Sequence, residues 1–355
     1  MRFDRTSGMC RVVLKPVGFL AGDHSGAPRI SVIVPVYNNP TQLVECVSAL
    51  KASAGADTEI LVVDDASTDD TITAARAAGV RVVELPENSG PGAARNQGVA
   101  GARGRVIFFV DADVVVAPDA LDRIRRAFDA DPELEALFGS YDAAPRAPGI
   151  VSQYRNLLHH FTHQQADSAA STFWAGCGAV RRDVFEAVGG FAGRRFDGIE
   201  DLELGVRMRR AGFRIVLDKQ LQGTHLKRWT LRSMVSTDIR RRAIPWSRLI
   251  LETGWRPNDL NLRPGQRLSG ALSSLLCLLM PLALVWPQIA LVAASMLAAV
   301  LLLNRELFAF FFRHRGARFT AACVPLHLLY FLYSSLSYLG VWVGMKLKVV
   351  VPGKR

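Results

Sequence analysis

The sequence has few cysteines, and its longest apolar run has no charge at all. The five cysteines, at 10, 46, 177, 277 and 323, show no metal-type spacing. They argue against a disulfide framework and for a reduced compartment. The stretch 268–304, LSGALSSLLCLLMPLALVWPQIALVAASMLAAVLLLN, holds no Asp, Glu, Lys or Arg. An uncharged run of this length rarely occurs in a soluble core. It is too long for one membrane span of about 20 residues and suits two, 269–286 and 287–304, turning near Pro287. A second run, FTAACVPLHLLYFLYSSLSYLGVWVGM (319–345), carries one His and no full charge, so a third span is expected at 321–343. No signal peptide is evident, because MCRVVLKPVGFLAG is interrupted by Arg11, Lys15 and Pro16. Residues 1–28 therefore read as a loose tail, and the part before the spans as cytoplasmic. The basic residues adjoin the apolar runs and no nucleic-acid motif accompanies them, which argues against that partner class.

What is present is 355 residues, half of them apolar, with room for a domain of ordinary size and about 100 residues beyond it. The net charge of +11 comes from 43 basic and 32 acidic residues. Its excess sits just before the apolar runs. Lys227, Arg228, Arg232, Arg240, Arg241, Arg242, Arg248, Arg256, Arg263 and Arg267 face only Asp238, Glu252 and Asp259. The segment 226–268 thus reads as a juxtamembrane surface for anionic headgroups or a phosphorylated lipid. Arg305, Arg313, Arg315 and Arg318 flank LFAFFF (307–312), which reads as an interfacial helix. Residues 346–355 form a basic tail with Lys346, Lys348, Lys354 and Arg355. A third full crossing would put that tail outside, so the last run either re-enters or crosses against the charge rule.

From Ile30 onward short β-rich runs alternate with helical patterns. Strands are expected at 30–36, 58–63, 80–85 and 105–110, with helices at 40–53, 68–79 and 89–102. Such alternation predicts an α/β domain with a Rossmann-like, mostly parallel sheet covered on both faces. Ligands then bind beyond the carboxyl ends of the strands. Four polar clusters fall on that edge: Pro35-Val36-Tyr37-Asn38, DDASTDD, PENSGPGAARN and DAD. In the last, Asp111 and Asp113 end a strand that should be buried. Residues two apart on an extended segment point the same way, so the two can share one hard cation with a substrate diphosphate. The alternative is a strand-end turn held by hydrogen bonds.

Five blocks, SVIVPVYNN, ILVVDDASTDDT, NSGPGAARNQG, FVDAD and GIEDLELGVRMRRAG, stand in this order over roughly residues 30–225. Their order and spacing resemble the family 2 glycosyltransferases. The resemblance implies the GT-A nucleotide-sugar-binding fold for residues 29–225. It implies that Pro35 and Tyr37 line the nucleotide base, that Asp65 accepts a hydrogen bond from it, and that Asp64 supports the loop. Arg95 would lie near the nucleotide or its phosphates. Asp113 would be the direct ligand of Mn²⁺ or Mg²⁺ and Asp111 would sit nearer the ribose, while His225 would join the metal or diphosphate site or serve packing. Asp201, beside Glu200, would be the general base of an inverting displacement, a position the dipole of the following helix also favours.

TFWAGCGAVRRDVFEAVGGF (172–191) resembles the segment that shapes the sugar and acceptor sites, with Trp174 stacking on a sugar and Gly176 and Gly178 admitting close backbone approach. Cys177 reads as a packing residue. His159, His160 and His163 share a helix; zinc there lacks a companion Glu motif, and an acceptor-side or membrane-surface helix is the better reading. One departure matters. Processive relatives carry a (Q/R)xxRW motif, and the nearest echo is RAIPW (242–246), with Pro245 in place of Arg. Arg242 and Trp246 stay acceptor-side candidates, but processive synthesis does not follow. The chain is thus expected to be a multi-pass, metal-dependent transferase of the cytoplasmic membrane, with its catalytic domain facing the cytoplasm. It would move a sugar from a nucleotide donor, UDP by family weighting, to a lipid or lipid-linked acceptor. One alternative is a nucleotidyltransferase on a related sheet, although PVYNNP lacks the basic Gly-rich signature. The other is a catalytically inactive nucleotide-sugar-binding membrane protein, although Asp111, Asp113 and Asp201 are intact.

Overall fold

The computed structural model describes residues 28–193, 196–255 and 259–347. Cys10 and the rest of the tail before Pro28, Arg256, Lys348, Lys354 and Arg355 lie outside the described residues. The first half alternates β1 (Ile30–Val36), α1 (Pro40–Ser53), β2 (Thr58–Asp64), α2 (Thr71–Ala77), β3 (Arg81–Glu84), α3 (Pro91–Gly101) and β4 (Val106–Val110). These four strands pair in parallel, in the order β3-β2-β1-β4. Continuous Val, Ile and Phe runs let β1 and β4 be buried on both faces. On one face, Leu43, Val47 and Leu50 of α1 and Leu121, Ile124 and Phe128 of α4 (Ala120–Ala130) cover Val32, Val34 and Phe108.

The second half adds β5 (Val114–Val116), β6 (Ala136–Tyr141), α5 (Ile150–Gln165), β7 (Cys177–Arg181), α6 (Arg182–Ala187), α7 (Glu200–Arg210) and β8 (Ile215–His225). Phe185 of α6 and Leu204 and Met208 of α7 close the other face over Ile33, Ile107 and Phe109. The sheet continues β4-β7-β6-β8-β5, with β4/β7, β6/β7 and β5/β8 antiparallel and β6/β8 parallel. The sheet is mixed, with four of its seven strand pairings parallel, in keeping with the expected architecture. The strand–helix alternation that dictates parallel pairing stops at β4, and the later strands can return in either direction.

Pro35 opens the edge where ligands bind in such sheets. Val36 O accepts from Asp65 N on the β2 side, so its neighbour Pro35 faces β4. Lacking an N–H, it has nothing to donate there, and the β1/β4 ladder ends at Ile33–Phe109 while β1/β2 runs on to Val36–Asp64. The strand order reverses at this split, which makes a crevice.

After β8 come α8 (Leu231–Asp238), a π-helical turn (Ile239–Ala243), α9 (Ile244–Thr253), α10 (Pro264–Ala283), α11 (Pro287–Leu303) and α12 (Arg305–Lys346). α12 is broken at Gly316, whose φ is +78°. The run 307–312, expected as an interfacial helix, instead packs on protein. Leu307, Phe310 and Phe311 are buried with Tyr154, Leu157, Trp229, Met234 and Cys323. The apolar side of α5 needs cover, and this aromatic run supplies it. Beside it, the buried Asp238 carboxylate accepts from Arg155 and Arg242 at 3.0 Å each and from the Tyr333 hydroxyl at 2.6 Å, joining α5, the π-turn and α12.

α10 and α12 are long and apolar enough to cross a membrane; α11 is apolar but only 17 residues long. Their outer faces are apolar: Leu284 is 85% exposed, Leu278 72% and Leu291 71%. A patch of this extent is foreign to the surface of a soluble monomer.

Candidate active site

The loops after β1, β2 and β3 are locked together by carboxylates and amides. Asn38, at φ +48°, takes the amide of Thr68 on its Oδ1 at 2.8 Å and gives its own amide to Ser67 Oγ at 2.9 Å. Tyr37 is thereby left half-exposed over the crevice. Asp65 is buried and accepts the amides of Ser89 at 2.7 Å and Gly90 at 2.9 Å, which fixes the entry to α3. Asp64 Oδ2 accepts from the Ser67 amide at 3.0 Å, whereas its Oδ1 is buried without a hydrogen-bond partner. A buried acceptor left open beside a crevice is an exception that calls for a donor from outside the chain.

Arg95 projects from α3 under the strand ends. It donates to Asp111 Oδ1 at 2.6 Å and to Glu200 Oε1 at 2.8 Å, with the Phe191 ring 5.4 Å from its Cζ. Burial works against its charge, but Asp111, Glu200 and Asp201 more than offset this, and the guanidinium is held firmly protonated. Glu200 Oε2 accepts the amide of Gly198 at 2.8 Å, so both of its oxygens are engaged.

Asp111 and Asp113 do not lie on an extended segment. Val114 N bonds to Asp111 O at 3.0 Å, closing a turn in which Asp111 meets Arg95 and Asp113 meets His225. The β5/β8 register sets Val114 opposite His225, and this brings Asp113 Oδ2 to 3.3 Å from His225 Nε2. His225 stacks on Tyr141, ring centroids 4.3 Å apart, and its Nδ1 meets Asn156 Oδ1 at 2.7 Å. A donor is required at Nδ1, so in the neutral ring Nε2 turns its lone pair toward Asp113. Burial opposes ionisation of Asp113, yet a protonated His225, through its charge and hydrogen bond and helped by Lys227, holds the carboxyl below the usual range; with the ring neutral, the two groups are acceptors. Two acceptors facing each other fit a hard cation that completes its shell with phosphate and water. Among the described residues no three His, Cys, Asp or Glu side chains form a complete metal cluster.

Asp201 begins α7, half-buried, where its carboxylate accepts the amides of Ala175 at 3.1 Å and Leu202 at 2.8 Å. Burial and the neighbouring Glu200 raise its pKa, partly opposed by Arg95 and the two amides, and it is pushed up to about 7. That suits a proton acceptor working near neutrality.

The Glycosyl transferase family 2 model matches residues 31–189, the span that contains Asp64, Asp65, Arg95, Asp111 and Asp113. Residues 31–189 are a family 2 glycosyltransferase domain. The chain is 39% identical over 106 residues to the succinoglycan biosynthesis protein ExoO of Rhizobium meliloti, covering 29% of this chain and 30% of that protein. Over 115 residues it is 41% identical to a dolichyl-phosphate beta-glucosyltransferase of Drosophila melanogaster, covering 28% and 35%. The match thus spans about a third of these relatives' length. A mannosyltransferase from Pyrobaculum calidifontis, solved with GDP-Man and Mn²⁺, superposes with TM-score 0.57 at 21% identity over 89% of this chain and 88% of the other. S. aureus TarS 1–349 with UDP-GlcNAc gives 0.50 at 17% identity over 90% and 92%. Both likenesses show the fold, a mixed GT-A-like sheet followed by helices.

The glycosyltransferase domain places the other sequence candidates less centrally. Trp174 is half-buried among Tyr141, His159 and His163, and a Cβ at Gly176 would stand 2.5 Å from its ring, so that glycine makes room for the tryptophan itself. His160 and His163 each engage a backbone carbonyl through Nδ1, those of Tyr141 and Gly139. Cys177 is buried in β7, and burial pushes its thiol pKa upward. Arg242 and Trp246 lie behind the loop before α7, Arg242 on Asp238 and Trp246 against Ile199 and Val206. Sequence reasoning missed Asn156 and Tyr141. Asn156 shares a helical face with His159 and His163, a polar stripe at i, i+3 and i+7 that was readable; Tyr141 carries no such signal.

Proposed function

We propose that the chain transfers a sugar, with inversion, from a nucleotide-diphosphate donor to a lipid or lipid-linked acceptor at the cytoplasmic face of a membrane. The observation that carries this reading is the Arg95 bridge, which joins Asp111 at the end of β4 to Glu200, the chain neighbour of Asp201. The acceptor hydroxyl attacks the anomeric carbon, Asp201 takes its proton, and the bond from that carbon to the diphosphate oxygen breaks with its electron pair on the diphosphate. Asp113 and His225 would hold a divalent cation, Mn²⁺ or Mg²⁺, whose charge offsets that of the departing diphosphate. Arg95 keeps Asp111 and Glu200 in place beneath the donor. The open Asp64 Oδ1 is the acceptor we assign to the base or ribose, beside Asp65, with Pro35 and Tyr37 walling the crevice.

A nucleotide-sugar donor is supported by the GDP-Man and UDP-GlcNAc bound to the two structural neighbours, with a UDP-sugar favoured by the family resemblance. A lipid-linked acceptor is supported by the dolichyl-phosphate and succinoglycan relatives and by the apolar faces of α10 to α12. On this reading residues 29–225 are the catalytic unit, 226–268 the juxtamembrane segment and 269–345 the membrane region. Thermal-shift binding of UDP, GDP and TDP to the full chain, with and without Mn²⁺, tests it. One nucleotide should give a metal-dependent shift that Asp113→Ala abolishes. No shift with any of the three, or a shift unchanged in the variant, overturns it.

A further inference from the structure

The helical stretch that follows β8 carries a proline just after a π-helical turn. α8, the π-turn and α9 run on continuously from Leu231 to Thr253, and Pro245 falls inside them. Proline removes the hydrogen bond to the carbonyl four residues back and its ring pushes that carbonyl aside. Here that carbonyl belongs to Arg241. The chain relieves the clash by widening into a π-turn over Ile239–Ala243, closed by Ile244 N on Ile239 O.

The Arg241 carbonyl freed in this way rests against Gly198. A Cβ built on Gly198 would stand 2.4 Å from Arg241 O and 2.7 Å from its Cβ, and the glycine sits at φ +89°, where other residues are strained. Gly198 is three residues from Asp201, and its amide binds Glu200 Oε2 at 2.8 Å. Glu200 in turn holds Arg95 at 2.8 Å. On the next turn Trp246 packs with Ile199. The π-turn is fixed from its far side by Asp238, which Arg155, Arg242 and Tyr333 hold.

We infer that Pro245 is a positioning residue: through the π-turn it sets the Arg241 carbonyl against Gly198 and so fixes the loop that presents Glu200 and Asp201. The catalytic half of this inference rests on the transfer reading above. The residue that breaks the (Q/R)xxRW pattern thus has a backbone role that a side chain could not supply. Replacing it restores an N–H, draws the Arg241 carbonyl back into the helix and loosens the Gly198 loop.

The test compares wild type with Pro245→Ala, Pro245→Arg, Gly198→Ala and the Pro245→Ala/Gly198→Ala pair, all as full chain in detergent. Hydrolysis of UDP-glucose, GDP-mannose and TDP-glucose with Mn²⁺ gives the rates, and thermal unfolding gives the apparent Tm. Both Pro245 variants should lose about tenfold in kcat with KM within about twofold, while their Tm equals or exceeds that of wild type. A merely structural proline would lower Tm and rate together. Gly198→Ala should lower Tm less in the Pro245→Ala background than in wild type, since the carbonyl it meets has withdrawn. Unchanged kcat in both Pro245 variants overturns the inference, as do additive Tm changes. If wild type turns over none of the donors, the nucleotide-binding test above decides the transfer reading, and the Tm cycle decides whether Pro245 sets the Gly198 contact.

Discussion

Asn156 Oδ1 holds His225 Nδ1 at 2.7 Å, and this one bond decides which ring nitrogen faces Asp113. Removing it should leave the fold intact and free the ring to turn. Such outer partners are typically worth about 10–100-fold in metal affinity. Asn156→Ala should therefore weaken the Mn²⁺ dependence of nucleotide binding by about that factor, read as the Mn²⁺ concentration giving half the thermal shift. An unaltered Mn²⁺ titration would dissociate His225 from the metal.

Asp201→Asn should retain nucleotide binding and lose about 10²–10⁴-fold in transfer rate to a hydroxyl acceptor. In wild type the rate should climb with pH and level off above about 7, where Asp201 loses its proton. Full transfer in the variant, or a rate flat from pH 5 to pH 8, would remove Asp201 from the chemistry.

The same carboxyl has a stability signature of definite sign. Its folded pKa of about 7 lies above the ordinary 3.8, so between those values the native state keeps a proton the unfolded chain has lost. Stability contributed by Asp201 therefore falls as pH rises through that window. The pH dependence of the apparent Tm should flatten there in Asp201→Asn. A steeper dependence would reverse the assignment.

Arg95 bridges two carboxylates from distant segments, Asp111 and Glu200. Arg95→Ala leaves Asp111 and the buried Glu200 unpaired, and breaking such a network costs about 3–5 kcal/mol. Denaturant unfolding should show a loss of this order, and Arg95→Lys should recover only part of it because one ammonium cannot reproduce the fork. Equal stability of Arg95→Ala and wild type would mean that water already screens the pair.

Asp238 is the buried joint between α5, the π-turn and α12. Asp238→Asn should lower the apparent Tm by several degrees, because Arg155 and Arg242 lose their counter-charge. Replacing Arg155 by Met in the same chain should restore part of the loss. A second substitution that adds fully to the first would show that the two residues do not act as a pair.

Much of the site's edge is legible in the sequence. Strand periodicity places Pro35, Asp64, Asp65 and Asp111 at strand ends, and Arg95 on the helix that follows the third strand, because α/β connections return these strands in the same direction. The uncharged run 268–304 marks α10 and α11. Distance along the chain is the obstacle elsewhere. The spacing of Asp111 and Asp113 predicts a shared direction, but a turn separates them, since β5 must leave β4 to reach β8. The Phe-rich run at 307–312 reads as a membrane-surface helix, but α5 presents an apolar face that buries it first.

The sequence by itself determined the strands and helices of residues 30–110 and the position of the uncharged run at 268–304. Nearest-neighbour sterics and periodicity, which a chain carries at every position, are enough for that. Only the tertiary structure decided that His225 meets Asp113, that Arg95 bridges Asp111 and Glu200, and that Arg241 presses on Gly198. Each of those pairs is made by sheet register or helix packing between distant segments, and no local preference encodes which partner a side chain will find.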